Sequence, residues 1–588
     1  MTEDGCKSTI SLLFVTLILC TYQNPLEILE SRVERSNTSE ENDIFYLMDT
    51  FGPQPVSDSE NIPMLHGSST VSDNDGNIYT TGRFGQHEFG TDNISSITFG
   101  EISLNLDSEP TRTDAVYIAK YVPTQGWEWA ELISPIAEDG SGHGIGNIRE
   151  LQIAPDGGVI IAGDFRAGAV FGPISLTNEN ATPWHNQDGE PITMYLTSDV
   201  FIAKISPQGQ WQWAKKIIGV GNEFISDIAT DDSGNIFIIG STDSNCVSFE
   251  AGAEQVCEPP CTNGYDWGGC EGVPQGDPNN NDDGRRYSTG DGALDFFIAK
   301  YDDDGNWLSS NTMNTSEHPS WTVGHNLAID TDGSIIVSGS AAGRGYVYAG
   351  NLDMELGESW NYEFRSEFLG KINSDLSEWN WLVGEDTSGS RYNWDGKYHN
   401  ILSIEPHPSG GAVVRGYMTN YQSSNWINFT VTNLTISEDN ETHNRIDYLA
   451  RISSSGEWLW AWDLGLPGPW RGGTAYGFVS HPVGPYFSTQ SLSNDMVVDS
   501  FGRSYVTQCS ISSYNYDSDT QLSSYEEDGI LMVTRYDEFG HLDGTANLTN
   551  VVNSRGISSC NAWGGIKSIH IDANNNLLTT VDYWNNPL

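Results

Sequence analysis

Two neighbouring stretches, DVFIAKISPQGQWQWA (199–214) and SDIATDDSGNIFIIGST (226–242), each read as two short apolar strands about a tight polar turn closed by glycine. The strands are β-branched and aromatic, and too short for helices. Both patterns recur along the chain. The second type appears in seven copies, starting at Ser69, Leu151, Ser226, Asn326, Leu402, Asp495 and Ser568, with turn residues Gly76, Gly157, Gly234, Gly333, Gly410, Gly502 and Asn575. The first type appears between them in six copies, starting at Asp114, Asp199, Asp295, Glu367, Asp447 and Gly529. One unit is therefore a four-stranded antiparallel meander, too small to bury both of its faces alone. Stacked radially, such sheets cover one another and leave no long exposed edge.

The D-x-G-N strand pair, followed by a D-(A/V/F)-F-I-A-K strand and a Gly-x-Trp-x-Trp tail, resembles the SBBP repeats of seven-bladed β-propellers. The last copy of the second strand pair, RYDEFGHLDGTAN, is similar to delta-60 repeats. The resemblance covers nearly all of the chain after its leader. It implies an all-β, seven-bladed propeller in an exported or cell-surface setting, with no catalytic motif to carry over. The seventh unit stops after its second strand. Its missing outer strand is expected from DIFYLMDTFG (Asp43–Gly52), so that both ends share one blade; a truncated product with an incomplete ring is the alternative.

The expected layout is a signal peptide over 1–20, a linker over 21–42 and the propeller over 43–588. The apolar run Ile10–Cys20 has the length of a signal-peptide core and is too short to span a bilayer, although Glu3 and Asp4 are atypical of such a leader. Cys20 is also a potential lipidation site, with a bulky Leu19 before it. No other run could cross a membrane, which points to a secreted or surface protein and a monomer. Of eight cysteines, six follow the leader. Cys246, Cys257, Cys261 and Cys270 crowd an insertion (about 242–294) between the second and third strands of the third unit. Their spacing suits disulfides better than zinc, and Cys509 is expected to join Cys560.

The 588-residue chain carries a formal charge of −53 and a pI near 4.2, which excludes binding to nucleic acid by phosphate neutralisation. Such a charge repels itself unless salt screens it, so adaptation to saline water is the plain explanation. Calcium is the sharper one, at the turn carboxylates Asp73, Asp75, Asp302 and Asp304, although Asp-Gly is also an ordinary turn. No other cofactor is expected.

In a meander the short turns share one face and the long connections share the other, so the long-loop face is the expected ligand face. The loops between units hold His143, Trp321, His325, Arg391, Tyr392, Trp394, Asp395, His399, Trp470, Arg471, Tyr476 and Trp563. Aromatic rings beside Asp, Arg and His are how proteins hold sugars and peptides. The recurring Trp pairs are expected to pack between sheets, and the recurring Lys/Arg to pair with the acid at the start of its own strand. HExxH, GxSxG, a P-loop and Cys-His metal spacing are all absent from the sequence. The expectation is a binding or adhesion module for glycans or surface proteins. A secreted polysaccharide hydrolase or lyase at the same rim is the alternative, and a structural surface component a third.

Overall fold

The computed structural model describes residues 54–56, 66–85, 96–106, 114–136, 145–178, 183–185, 191–219, 221–242, 244, 246–249, 256–257, 295–315, 321–342, 346–355, 365–384, 398–420, 425–429, 432–436, 444–464, 496–510, 514–517, 522–525, 530–547, 566–572 and 576–581. All regular structure in them is β. Each unit read from the sequence forms an antiparallel sheet in chain order. Sheet 1 comprises His66–Ser72, Ile78–Gly85, Asp114–Val122 and Gly126–Pro135, and sheet 2 Ile145–Ile153, Val159–Phe165, Asp199–Ile205 and Trp211–Ile217. Sheet 3 runs through Glu223–Thr230, Ile236–Thr242, Asp295–Tyr301 and Trp307–Thr312, and sheet 4 through Trp321–Ile329, Ile335–Ala342, Arg365–Ile372 and Trp379–Gly384. Sheet 5 is Tyr398–Pro406, Ala412–Asn420, Asn444–Ile452 and Trp458–Asp463; sheet 6 is Met496–Val498, Ser504–Ser510, Ile530–Tyr536 and Leu542–Asn547. Ile566–Ile571 and Leu577–Val581 make a final pair, sheet 7.

The second and third strands are apolar on both sides, as in Val159–Phe165 and Asp199–Ile205, where every residue is buried. That is the signature of a sheet covered on both faces. The cores lie between sheets: Val71 and Tyr79 of sheet 1 pack with Leu151 and Ile161 of sheet 2, and Ile202 of sheet 2 with Ile228 and Ile238 of sheet 3. First strands lie side by side from sheet to sheet. That of sheet 7 neighbours those of sheets 6 and 1, and Ile78 packs against Leu578.

A bulge recurs in six of the first strands. Ser68, Arg149, Ser226, His325, Leu402 and Lys567 are each left without a partner in the ladder. The residue after the bulge then faces the neighbouring sheet. Ser69 Oγ accepts from Leu151 N at 3.2 Å, and Asp227 Oδ2 from Leu327 N at 2.7 Å, which ties one innermost strand to the next.

The sequence suggests irregular, dissimilar connections between second and third strands; the structure corrects this. Each of the first six units carries a hairpin there: Ser96–Phe99/Ile102–Asn105, Gly168–Phe171/Ile174–Thr177, Cys246–Val247/Val256–Cys257, Tyr346–Ala349/Leu352–Glu355, Asn425–Phe429/Thr432–Ile436 and Tyr514–Asp517/Leu522–Tyr525. In the first, second and fifth hairpins a phenylalanine is buried against a third-strand ring and the first fourth-strand tryptophan. Phe99 lies 5.1 Å from Tyr117 and 4.8 Å from Trp127, Phe171 5.0 Å from Phe201 and 5.1 Å from Trp211, and Phe429 5.2 Å from Tyr448 and 4.8 Å from Trp458.

The hairpin also pairs with the preceding sheet. Val170 faces Ser134, Ser248 faces Ile218 and Tyr348 faces Asn314, each at or just beyond the end of a fourth strand. In the first hairpin the equivalent residue, Thr98, faces Gln54 of a short strand, Gln54–Val56. Asp43–Gly52, expected to supply the missing outer strand, lies outside the described residues, as do the leader, the linker and 258–294.

Candidate functional site

The repeated polar residues hold sheets together. The second tryptophan of a fourth strand donates its indole N–H to the next sheet's last turn: Trp129 to Pro207 O at 2.9 Å, Trp213 to Asp303 O at 3.0 Å and Trp381 to Ser454 O at 3.1 Å. Each ring lies against that turn's glycine, where a Cβ on Gly209, Gly305 or Gly456 would stand 2.8–3.0 Å from it. The expected packing role of these rings holds.

The expected lysine pairing does not. Four to six residues of strand separate each lysine from the acid at its strand's start, about 13–20 Å. Lysines instead reach turns. Lys120 meets Pro207 O at 3.2 Å and Glu128 at 2.8 Å, Lys204 meets Asp156 at 2.9 Å and Asp303 at 2.5 Å, and Lys300 meets Ser374 O at 2.8 Å. Lys371 joins Asp330 at 2.6 Å, Asp332 at 2.8 Å and Ser454 Oγ at 2.6 Å. That network holds the Asp330 carboxyl down at about 2, against the opposing effect of burial, which is the largest single influence on it.

Two of the four turn aspartates proposed for calcium, Asp73 and Asp302, accept hydrogen bonds from their own turns. Asp73 Oδ1 accepts from the N–H groups of Asp75 and Asn77, and its Oδ2 from Asn77 Nδ2 and Tyr79 OH. Asp302 accepts in the same way from Asp304 and Asn306. Among the described residues, no group of three or more His, Cys, Asp or Glu is placed to hold a metal ion.

Of the expected rim, Trp321 and His325 stand on the first strand of sheet 4, and His399 on the adjacent first strand of sheet 5. His325 is the bulge residue itself, with Nε2 against Ser340 Oγ. His143, Arg391, Tyr392, Trp394, Asp395, Trp470, Arg471, Tyr476 and Trp563 lie outside the described residues. So do Cys261, Cys270 and Cys560. Cys246 stands directly opposite Cys257 in the third hairpin, and Cys509 opposite Leu531.

Strand-start carboxylates that carry no motif gather at the loop-bearing end between sheets 2 and 3. Asp199 and Glu223 are 1% and 0% exposed. Glu223 accepts from Thr242 Oγ1 at 2.8 Å and Ser244 Oγ at 2.5 Å, and its backbone N–H donates to Ser198 O at 2.7 Å. Burial pushes the Asp199 carboxyl up to about 7, against the hydrogen bond it shares with Glu223, the Lys216 charge and the Gly219 N–H. Nearer the innermost strands, burial raises Asp227 too, against hydrogen bonds to Glu150 and to the N–H groups of Leu327 and Ile228. Acid paired with acid across one seam was illegible in sequence, because the partners are 24 and 77 residues apart.

Sheet order and inter-sheet packing define a multi-bladed, propeller-like all-β protein. A family model described as SBBP, beta-propeller repeat, matches residues 212–245, from the fourth strand of sheet 2 into sheet 3. Among curated proteins none matches the chain. Among solved structures, the chain is similar to a catalytically inactive virginiamycin B lyase from Staphylococcus aureus with quinupristin. Identity is 9%, coverage 83% of this chain and 97% of that one, and the TM-score 0.27. A protein of unknown function from Dyadobacter fermentans is 10% identical over 70% of this chain and 98% of its own, with a TM-score of 0.28. Rhamnogalacturonan lyase YesW is 13% identical over 83% of this chain and 61% of its own, at 0.21. At such identities and scores no activity passes from these proteins to this chain. Among the described residues no helix is long and apolar enough to cross a membrane.

Proposed function

We propose that the chain is an exported, closed seven-bladed SBBP-type β-propeller that binds glycans or surface proteins through its loop-bearing face. Closure is supported by register. Gln54 stands opposite the first hairpin where Ser134, Ile218 and Asn314 stand opposite the next three, at the end of a preceding fourth strand. This register supports the reading in which the segment leading into it, Asp43–Gly52, supplies the outer strand of sheet 7. The observation that carries the binding role is the engagement of the repeated Trp and Lys side chains in contacts between sheets. Binding chemistry is left to residues that do not repeat, which sit in the long loops. Glycan arrays and surface-protein pull-downs at seawater-like salt test this. Binding weakened by Arg391→Ala and Trp394→Ala is expected, and absence of binding to every polysaccharide and surface protein tried counts against it.

The second reading is a polysaccharide hydrolase or lyase, supported by the Asp199–Glu223 pair at the same end. A carboxyl protonated near neutrality is what a general acid requires. At 1% exposure Asp199 reaches a substrate only if the seam opens. Product release from a polysaccharide that Asp199→Asn abolishes would establish this reading over simple binding.

A further inference from the structure

The face opposite the long loops is built of short turns, and the residue before the turn's glycine (Asn575 or Leu376 in two of them) is Asp, Ser, Asn or Gln at eleven of them. Both turns of sheet 6 depart from this, with Phe501 in the first and Phe539 in the second. These rings are 64% and 57% exposed, and Leu542 beside them is 65% exposed. A third departure adjoins them. Trp462, 43% exposed, occupies the fourth-strand position that holds Glu131, Lys215, Asn311 and Val383 in other sheets.

Trp462, Phe539 and His541 form one fixed group. Trp462 Nε1 donates to Phe539 O at 2.8 Å, and its ring lies 5.2 Å from that of His541. The two turns touch, since a Cβ on Gly502 would stand 3.4 Å from Glu538 Cβ. Eight polar turns among the described residues close with the same pair of backbone hydrogen bonds as these two, so the fold does not need phenylalanine there, and adjoining exposed apolar residues mark contact sites. Glu538 in the second turn and Asp543 beside it are exposed. Arg503 pairs with Asp499 at 2.6 Å while lying 5.0 Å over the Phe501 ring, Arg535 pairs with Asp543 at 2.7 Å, and Arg451, bonded to Ser409 and Gly410 O, lies within the field of Glu538. In a chain of charge −53, this surface repels acidic glycans and anionic membranes and complements apolar side chains flanked by basic ones.

We infer that the sheet 6 turns, with Trp462, are a docking surface for a basic, apolar peptide segment of a partner protein. This does not rest on the loop-bearing face. The test titrates the full chain with a labelled peptide alternating Leu or Phe with Lys. Comparison probes are a Lys–Ser peptide of equal charge, a Glu-for-Lys version, neutral oligosaccharides and phosphatidylcholine vesicles. The Lys–Leu/Phe peptide should bind at least 10-fold more tightly than every other probe, and the double variant Phe501→Ser/Phe539→Ser should lose that preference at unchanged melting temperature. Hydroxyl-radical footprinting of the unaltered chain should show Phe501 and Phe539 protected by the peptide, a readout independent of how the variant folds. Equal binding by the variant, no preference over Lys–Ser, or vesicles or sugars binding in place of the peptide would overturn the proposal.

Discussion

Leu376 alone among the described non-glycine residues has a positive φ, 62°, in a turn position where neighbouring sheets place Gly209, Gly305 or Gly456. The exception follows from the tryptophan rule. Those glycines lie under an indole of the preceding sheet, but sheet 3 has Ser309 at that point, and Asn311 Nδ2 donates to Leu376 O at 2.8 Å instead. Without a ring to accommodate, a Cβ fits. Glycine is thus required for two separable reasons. At Gly333, φ +80°, a Cβ would meet nothing, whereas at Gly305, φ +75°, it would stand 2.8 Å from the Trp213 ring. Both alanine substitutions carry the left-handed penalty of about 1–2 kcal/mol, and Gly305→Ala adds about 1–3 kcal/mol of overpacking. Denaturant unfolding of the two variants should rank them in that order, and equal losses would refute the packing account. Titration is also set residue by residue. Burial holds His407 and His570 down at about 4, with the Arg451 charge adding to the effect at His407. Each takes a proton near 6.5 when unfolded, so stability is intact above about 6.5 and falls as pH drops from there toward 4. Asp199 has the opposite sign. Held at about 7 when folded against 3.8 otherwise, it destabilises most above pH 7, and that cost fades as pH falls toward 3.8. Melting curves should show His407→Gln flattening the acid limb and Asp199→Asn stabilising the protein above pH 7.

What could be read in advance at the level of elements depended on how local the controlling contacts are. The two strand pairs of each unit were legible because their turns are self-contained: Asp231 Oδ1 accepts from Ser233 N at 2.9 Å and Asn235 N at 2.8 Å, all within one short motif. The hairpins were not. In three of them the signal is a single phenylalanine, Phe99, Phe171 or Phe429, and its meaning lies in rings on other strands; the fourth and sixth have none. The lysines were misassigned for the same reason, since Lys371 meets Ser454, 83 residues on. The third hairpin sharpens an expectation the sequence left open among the clustered cysteines. Its register sets Cys246 opposite Cys257, and cross-strand partners of this kind lie within disulfide reach. In an oxidising compartment a thiol–disulfide oxidant would take the two electrons, both thiols releasing protons. The proposed outcome is a 246–257 cross-link, leaving Cys261 and Cys270 for each other, and a loop of that length is stabilised by about 3 kcal/mol. Peptide mapping, without reduction, of protein produced in an oxidising compartment reads the pairing directly; a 246–261 or 246–270 linkage would exclude it.

For the molecule as a whole, two long-range effects compete: mutual repulsion from a charge of −53, and the inter-sheet contacts that oppose it. Salt acts on the first. Raising it from 0.1 to 1 M shortens the screening length from about 10 Å to about 3 Å, so the melting temperature should climb with ionic strength. Calcium should add nothing beyond magnesium at equal ionic strength at Asp73 and Asp302, whose oxygens already accept hydrogen bonds from their own turns. Closure acts on the second. Sheet 7 has two described strands, and its first strand lies beside sheet 1, where Leu578 meets Ile78. If the segment before Gln54 is the outer strand of that sheet, removing residues 43–56 exposes Leu577–Val581 on its outer side and frees Ser96–Phe99 from its partner Gln54–Val56. The loss should then be local to one junction. Hydrogen exchange in the truncated protein should accelerate at Leu577–Val581 and Ser96–Phe99, while Ile236–Thr242 and Ala412–Asn420, flanked by intact sheets, stay protected. Unchanged exchange at Leu577–Val581 would place the N-terminal segment elsewhere and leave sheet 7 to be completed by another strand.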